Sequence, residues 1–289
     1  MTDHCAFLRA GELSAIVGDD TPRGPGGRQY SGLWSLLSTH CAASPFQSAF
    51  AGLIAARHRG TGPVLEQIDE TAARLVKKPH EGCPFAEVRG TYRLIAPYYV
   101  DYTYEVEFTK DATAIPDCVE NLWCSYMNSP QDISIHFIEN NGWTTLTPDI
   151  HGAAATVFPA GLDEAHRLDW ERRTGEARFR DQTAFHHSFS GRTFDYPFYY
   201  GLIHGMAWLI MADHHRDFRF FISPWGAGSS AIPGQSSPAW DFAWLIWNAK
   251  PGETRTLNLR LAFFKPEMYN LPAQVWKEWE AFRETHPVK

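Results

Sequence analysis

Apolar and polar residues alternate with a period of two along the clearest stretches of this chain. In YYVDYTYEVEFTK, residues 98 to 110, Tyr98, Val100, Tyr102, Tyr104, Val106 and Phe108 alternate with Tyr99, Asp101, Thr103, Glu105, Glu107 and Thr109. Successive side chains of an extended backbone point to opposite faces, so the pattern predicts a long strand with one wet face. TRTLNLRLAFFK repeats the device near the C-terminus, with Leu257, Leu259, Leu261 and Phe263 on one side and Thr256, Asn258 and Arg260 on the other. AWDFAWLIW, 239 to 247, predicts a further strand, apolar on both faces except at Asp241. GMAWLIMADHHRDFRFFIS predicts a hairpin, because two apolar runs flank the polar segment Asp213 to Asp217, which is costly to bury. Shorter strand-like pieces occur around 13 to 17, 31 to 37, 91 to 96, 119 to 126, 132 to 138 and 154 to 158.

Helical signals are few. VLEQIDETAARLV, 64 to 76, has a helical reading. PAQVWKEWEAFRE, 272 to 284, has a better one: Pro272 suits a first turn, and Val275, Trp276, Trp279 and Phe282 fall at helical spacing. Many strands, turn-rich connections and few helices predict an all-β fold, a large antiparallel β-sandwich of one domain over 1–289, with a terminal helix at 270–285 packed on a sheet edge or face. A cupin-type barrel is the competing architecture. The loops at 18 to 29 and 223 to 238 are rich in Gly, Pro and Ser, a composition common in functional or mobile loops.

Composition narrows the function classes. Of the 289 residues 44% are hydrophobic and 14% aromatic, with eleven Trp, which argues for a packed globular chain. The net charge is −7, and no Lys/Arg cluster could neutralise successive phosphates, so a nucleic-acid partner is not expected. Five cysteines, Cys5, Cys41, Cys83, Cys118 and Cys124, show no C-x-x-C spacing and suggest reduced thiols. Without an apolar run of membrane-span or signal-peptide length, the expectation is a soluble, cytoplasmic protein with no membrane partner.

Thirteen histidines are numerous for this length. In DISIHFIE, His136 shares the polar face of a strand with Asp132 and Ser134. In TPDIHGAA, Asp149 and His151 project from the same side of an extended backbone, where a carboxylate can orient an imidazole or raise its pKa. YYGLIHGMAWLIM places His204 in an apolar run. In extended geometry it shares a face with Tyr200, Met206 and Trp208, and Gly201 and Gly205 leave room beside the ring. A buried histidine bonded to a carbonyl accounts for the same pattern. Asp241, amid Trp240, Phe242, Trp244 and Trp247, must find a donor or take up a proton. The pairs His186/His187 and His214/His215 face opposite ways on a strand; His187 is a reserve ligand contact, and His214 and His215 fit a hairpin tip.

No H-x-H, H-E-x-x-H, G-x-S-x-G, phosphate-loop or dinucleotide motif is present, so no cofactor is expected. A divalent metal would need ligands drawn from His136, His151, His187 and His204. The rings of Trp123, Trp143, Trp225 and Trp240 could stack on the apolar face of a sugar while Asp, His or Arg takes its hydroxyls.

WCSYMNSPQDISIHFIE, YPFYYGLIHGM, FFISPWGAGSS and SPAWDFAWLI together resemble segments of a group of bacterial proteins similar to the galactose-mutarotase-like β-supersandwich, over roughly residues 28 to 266. The resemblance implies a cleft lined by His136, Tyr200, His204, Ser223 and Asp241, with His151 in a looser match. The histidine acid and carboxylate base motifs of true mutarotases are not recognisable in this chain.

The leading expectation is an enzyme of the epimerase, isomerase or lyase type that moves protons on a sugar or sugar derivative. His204 and His136 would be acid and base, Asp241 the orienting carboxylate and Tyr200 a donor to a developing oxyanion. His151, Trp123, Ser223, Trp225, Trp240 and His187 would line the substrate. The alternatives are a non-catalytic carbohydrate-binding protein and a metal-dependent cupin-like enzyme.

Overall fold

A computed structural model of the chain describes residues 4–20, 30–54, 62–81, 83–112, 115–150, 154–162, 189–225 and 235–289. In chain order the first strands are β1 (Cys5–Ala10), β2 (Leu13–Gly18), β3 (Gly32–Ser38), β4 (Phe46–Ile54), β5 (Val64–Gln67) and β6 (Ala72–Lys77). Then come β7 (Ala86–Ile95), β8 (Tyr99–Phe108), β9 (Cys118–Met127), β10 (Ile135–Glu139), β11 (Gly142–Leu146) and β12 (Thr156–Pro159). The last are β13 (Phe189–Phe194), β14 (Phe198–Ile203), β15 (Met206–Ala212), β16 (Phe218–Ser223), β17 (Ala239–Trp247) and β18 (Thr254–Phe264), followed by one helix, α1 (Leu271–Thr285).

They form a nine-stranded sheet in the order β11-β10-β14-β15-β18-β8-β7-β6-β5, a six-stranded sheet β13-β12-β16-β17-β9-β4, and a small sheet β1-β2-β3. Apart from the parallel β12/β13 pair, neighbouring strands run antiparallel. The two large sheets face each other, and the alternation read in the sequence sets what lies between them. Val100, Tyr102, Tyr104, Val106 and Phe108 of β8 all point into the core, as do Leu257, Leu259, Leu261 and Phe263 of β18. From the opposite sheet come Trp123, Trp240, Phe242 and Trp244. Trp123 stacks on Phe242 at 5.6 Å and meets Tyr102 edge-on at 5.4 Å. Tyr104 crosses the layer to donate from its hydroxyl to Asn121 at 3.1 Å, which satisfies a buried polar group on each sheet.

Strands β15, β16 and β17 lack alternation because both of their faces are covered. All seven residues of β15 are buried. Trp208 and Ile210 meet the inter-sheet core, whereas Ala207, Leu209 and Met211 meet α1 on the outer side. The helix buries Leu271, Val275, Trp279 and Phe282 there, so the expected terminal helix seals a sheet face rather than an edge.

Two sequence expectations are corrected. Residues 64–76 form strands β5 and β6 joined by a turn rather than a helix. Asp69 accepts from both the backbone N–H and the hydroxyl of Thr71 at 2.7 Å, and this local turn competes with helix. The segment 205–223 is not a hairpin: β15 belongs to the nine-stranded sheet and β16 to the six-stranded one. Of the polar segment between them only Asp213 is buried, 1% exposed, and it is fully partnered. It accepts from His214 Nδ1 at 2.7 Å, the Asn258 backbone and side chain at 2.9 Å, and Lys289 Nζ at 3.0 Å. Its carboxyl is held at about 2: desolvation raises it, but the bonds from His214 and Asn258 win. His214 accordingly packs on Trp244, 5.2 Å between rings, and not at an exposed tip.

Among the described residues no helix is long and apolar enough to cross a membrane.

Candidate functional site

The outer face of the nine-stranded sheet gathers titratable and aromatic groups at its β11 end. In β10, Ile135 and Phe137 point inward and are fully buried, so His136 and Ile138 point outward. His136 lies directly opposite Tyr200 of β14, and their rings stack at 4.8 Å with an angle of 21°. On the other side β11 places Thr145 opposite His136 and Trp143 opposite Ile138. Trp143 is 39% exposed; its indole meets Tyr200 edge-on at 5.6 Å and lies 5.9 Å from Phe198. Asp132 reaches the same imidazole from the turn before β10, a turn closed by the Ser134 N–H donating to Asp132 at 2.9 Å.

Both nitrogens of His136 are engaged, unequally. Nδ1 is 2.9 Å from the Thr145 hydroxyl. Nε2 is 3.7 Å from an Asp132 oxygen, within ion-pair reach but too long for a hydrogen bond. A Thr145 O–H donating to Nδ1 leaves an Nε2–H directed at the carboxylate, the tautomer that both contacts favour. Burial pushes His136 below the ordinary histidine value against the opposing pull of Asp132, so the ring is neutral near pH 7. Burial and then the Asp132 charge push Tyr200 up to about 12, which keeps its hydroxyl protonated and able to donate. Asp132 is desolvated, which raises it, yet the Ser134 bonds and His136 hold it low and ionised.

Of the four residues expected to share a catalytic hollow, the structure brings together His136 and Tyr200. His204 is not on a strand face. Ile203 pairs with Met206, and His204 and Gly205 form the two-residue turn between β14 and β15 with φ of +52° and +74°. Both values are positive, the geometry of a type I′ hairpin, and the His204 side chain is exposed at the turn. Gly201 serves packing and not a ligand: a methyl group there would overlap the indole of Trp240.

Asp241 belongs to β17 of the other large sheet, behind the face that carries Tyr200. It is 3% exposed and accepts from the Ser125 backbone N–H at 2.7 Å, where the β17/β9 ladder has ended. Trp123 and Trp240 are fully buried between the sheets, and the Trp240 Nε1–H donates to the Ile133 carbonyl at 2.9 Å, so neither ring is open to a ligand. Ser223 is buried and donates to the carbonyl of half-exposed Trp225 at 2.8 Å. His151 and His187 lie outside the described residues.

Sequence reasoning missed one charged pair altogether. Arg219 and Glu120 pair at 2.8 Å on the outer face of the six-stranded sheet, with side chains 0% and 6% exposed. The guanidinium lies 5.2 Å from the Phe221 ring and 5.8 Å from Phe158. The single cation inside FRFFIS was the available signal. Among the described residues no group of three His, Cys, Asp or Glu side chains is placed to hold a metal ion.

No family model matches the sequence, and no curated protein matches it. Solved structures match over most of the chain. An α-N-acetylgalactosaminidase from Bifidobacterium bifidum superposes with a TM-score of 0.54 at 12% identity, over 98% of this chain and 39% of that one. A candidate aldose 1-epimerase from Escherichia coli K12 gives 0.49 at 10% identity, over 91% and 99%. A galactose 1-epimerase from Lactobacillus acidophilus NCFM gives 0.42 at 10% identity, over 90% and 93%. At such identities the likeness concerns the fold alone. In fold, the chain is similar to the galactose-mutarotase-like β-sandwiches.

Proposed function

We propose that this chain is a carbohydrate-binding protein and that a sugar ring docks against Trp143 on the outer face of the nine-stranded sheet. The observation that carries this reading is the grouping of an exposed indole with Tyr200, His136, Thr145 and Asp132. A flat ring for the apolar face of a pyranose stands beside a hydroxyl donor and a carboxylate acceptor for its hydroxyls. The fold is compatible with such a ligand, since the glycosidase likeness lies in the same architecture. A screen of reducing sugars, uronates and oxidised sugars by ligand-observed NMR tests the proposal. At least one should show saturable contact; none doing so overturns it.

A second reading, proton transfer on the bound sugar, is favoured by the His136–Asp132 contact at 3.7 Å. In that reading a sugar hydroxyl gives its proton to the Thr145 oxygen as the Thr145 O–H passes its own to His136 Nδ1, Asp132 stabilises the imidazolium that forms, and Tyr200 donates to the oxygen that gains charge. This reading assigns no part to His204 or Asp241. Faster anomer interconversion of the bound sugar, lost in His136→Ala, is the expected result; interconversion at the water rate leaves binding alone.

A further inference from the structure

A cavity of about 490 Å³ opens between the start of β14 and the C-terminal half of α1, lined by Asp195, Tyr196, Pro197, His215, Trp279, Arg283, Glu284 and Val288. Its volume lies in the range of small-molecule sites. The Trp279 Nε1 of this lining is buried without a hydrogen-bond partner. Buried polar atoms are nearly always satisfied, so this N–H is the donor that a ligand hydroxyl would complete. The charged rim is mixed: Arg283 supplies donors, and Glu284 and Asp195 supply acceptors. One Asp195 oxygen already accepts from the Asn141 N–H at 2.6 Å. Tyr196, Pro197 and Trp279 add an apolar wall. Donors, acceptors and flat rings without a dominant charge suit a neutral polyhydroxylated ring better than an anion or a cation.

A run of ring contacts links the lining of the cavity to Trp143. Trp143 lies 5.9 Å from Phe198, Phe198 stacks on Tyr196 at 6.2 Å, and Tyr196 lies 6.2 Å from Trp279. Asp195 is also bonded to the β10–β11 turn, just ahead of Trp143, so the two places are fixed to one another. We infer that the cavity is a second sugar subsite and that the ligand is a neutral oligosaccharide spanning it and Trp143. This inference rests on the proposed function at Trp143. Two linked contacts raise affinity without either improving alone.

The test follows the indole N–H resonances of Trp143 and Trp279 in the full chain while glucose and galactose are compared with cellotriose, maltotriose and galactotriose. The inference predicts that monosaccharides move Trp143, that at least one trisaccharide moves both and binds about tenfold tighter or more, and that Arg283→Gln weakens that trisaccharide several-fold. Sugars of every length moving Trp143 and none moving Trp279 overturns the second subsite and keeps the first. Neither resonance moving overturns both.

Discussion

At the residue scale, His204 shows why one-dimensional context misleads. Its apolar neighbours suggested a strand face, yet a two-residue turn interrupts the run there, and His-Gly with both φ angles positive replaces the Asn-Gly that such turns favour. An L residue other than Asn or Asp is strained in that conformation. His204→Asn should therefore raise stability by about 0.5–1 kcal/mol in thermal unfolding and leave sugar binding unchanged; a loss of binding would restore His204 to the site. His136, in contrast, was legible, because a polar residue alternating with Ile135 and Phe137 must face outward. The pH behaviour follows from its environment. The folded state lowers its pKa from 6.5, so near that pH the unfolded chain binds more protons, and stability falls as pH drops through 6.5 before levelling below the folded value. His80 and His215 are lowered in the same direction. Urea unfolding at about pH 7.5 and about pH 5.5 should show the loss, and His136→Gln should reduce it. An equal pH slope in that variant would contradict the assignment.

At the scale of elements, strict alternation identified β8 and most of β18, where one face meets the core and the other is more open, whereas Ala262 and Phe264 at the end of β18 are buried with α1. The runs buried on both faces were ambiguous. β15 is apolar throughout, β16 is apolar but for Arg219 and Ser223, and the two are adjacent in sequence, which resembles a hairpin, but periodicity cannot say that they enter different sheets. That required knowing that Asp213 accepts four hydrogen bonds, from His214, Asn258 and Lys289. The Arg219–Glu120 pair was hidden for a related reason: the cation in this buried strand meets an acid from β9, 99 residues away. Breaking a buried ion pair is costly, so Arg219→Ala should lower stability by about 3–5 kcal/mol in chemical denaturation. A change near zero would mean that the pair contributes no net stability. Gly201→Ala should cost about 1–3 kcal/mol through overlap with Trp240, although it touches no ligand.

For the whole molecule, the sandwich separates what the sequence had pooled. Stacked layers put His136 and Tyr200 on one outer surface, Asp241 in the other sheet, and Trp123 and Trp240 in the filling between them. Alternation predicted sidedness within each strand, but assigning one strand's outward face to the same surface as another's depends on sheet order, and β10-β14-β15-β18-β8 is far from chain order. The proposed site is a surface with an indole platform, and its defining residue is Trp143. The most direct test is calorimetric titration of the sugar that binds best, with wild type and Trp143→Ala compared at equal unfolding midpoint. Affinity at least about tenfold weaker in the variant is the expected result. Equal affinity in the two proteins would place the ligand elsewhere and contradict the account.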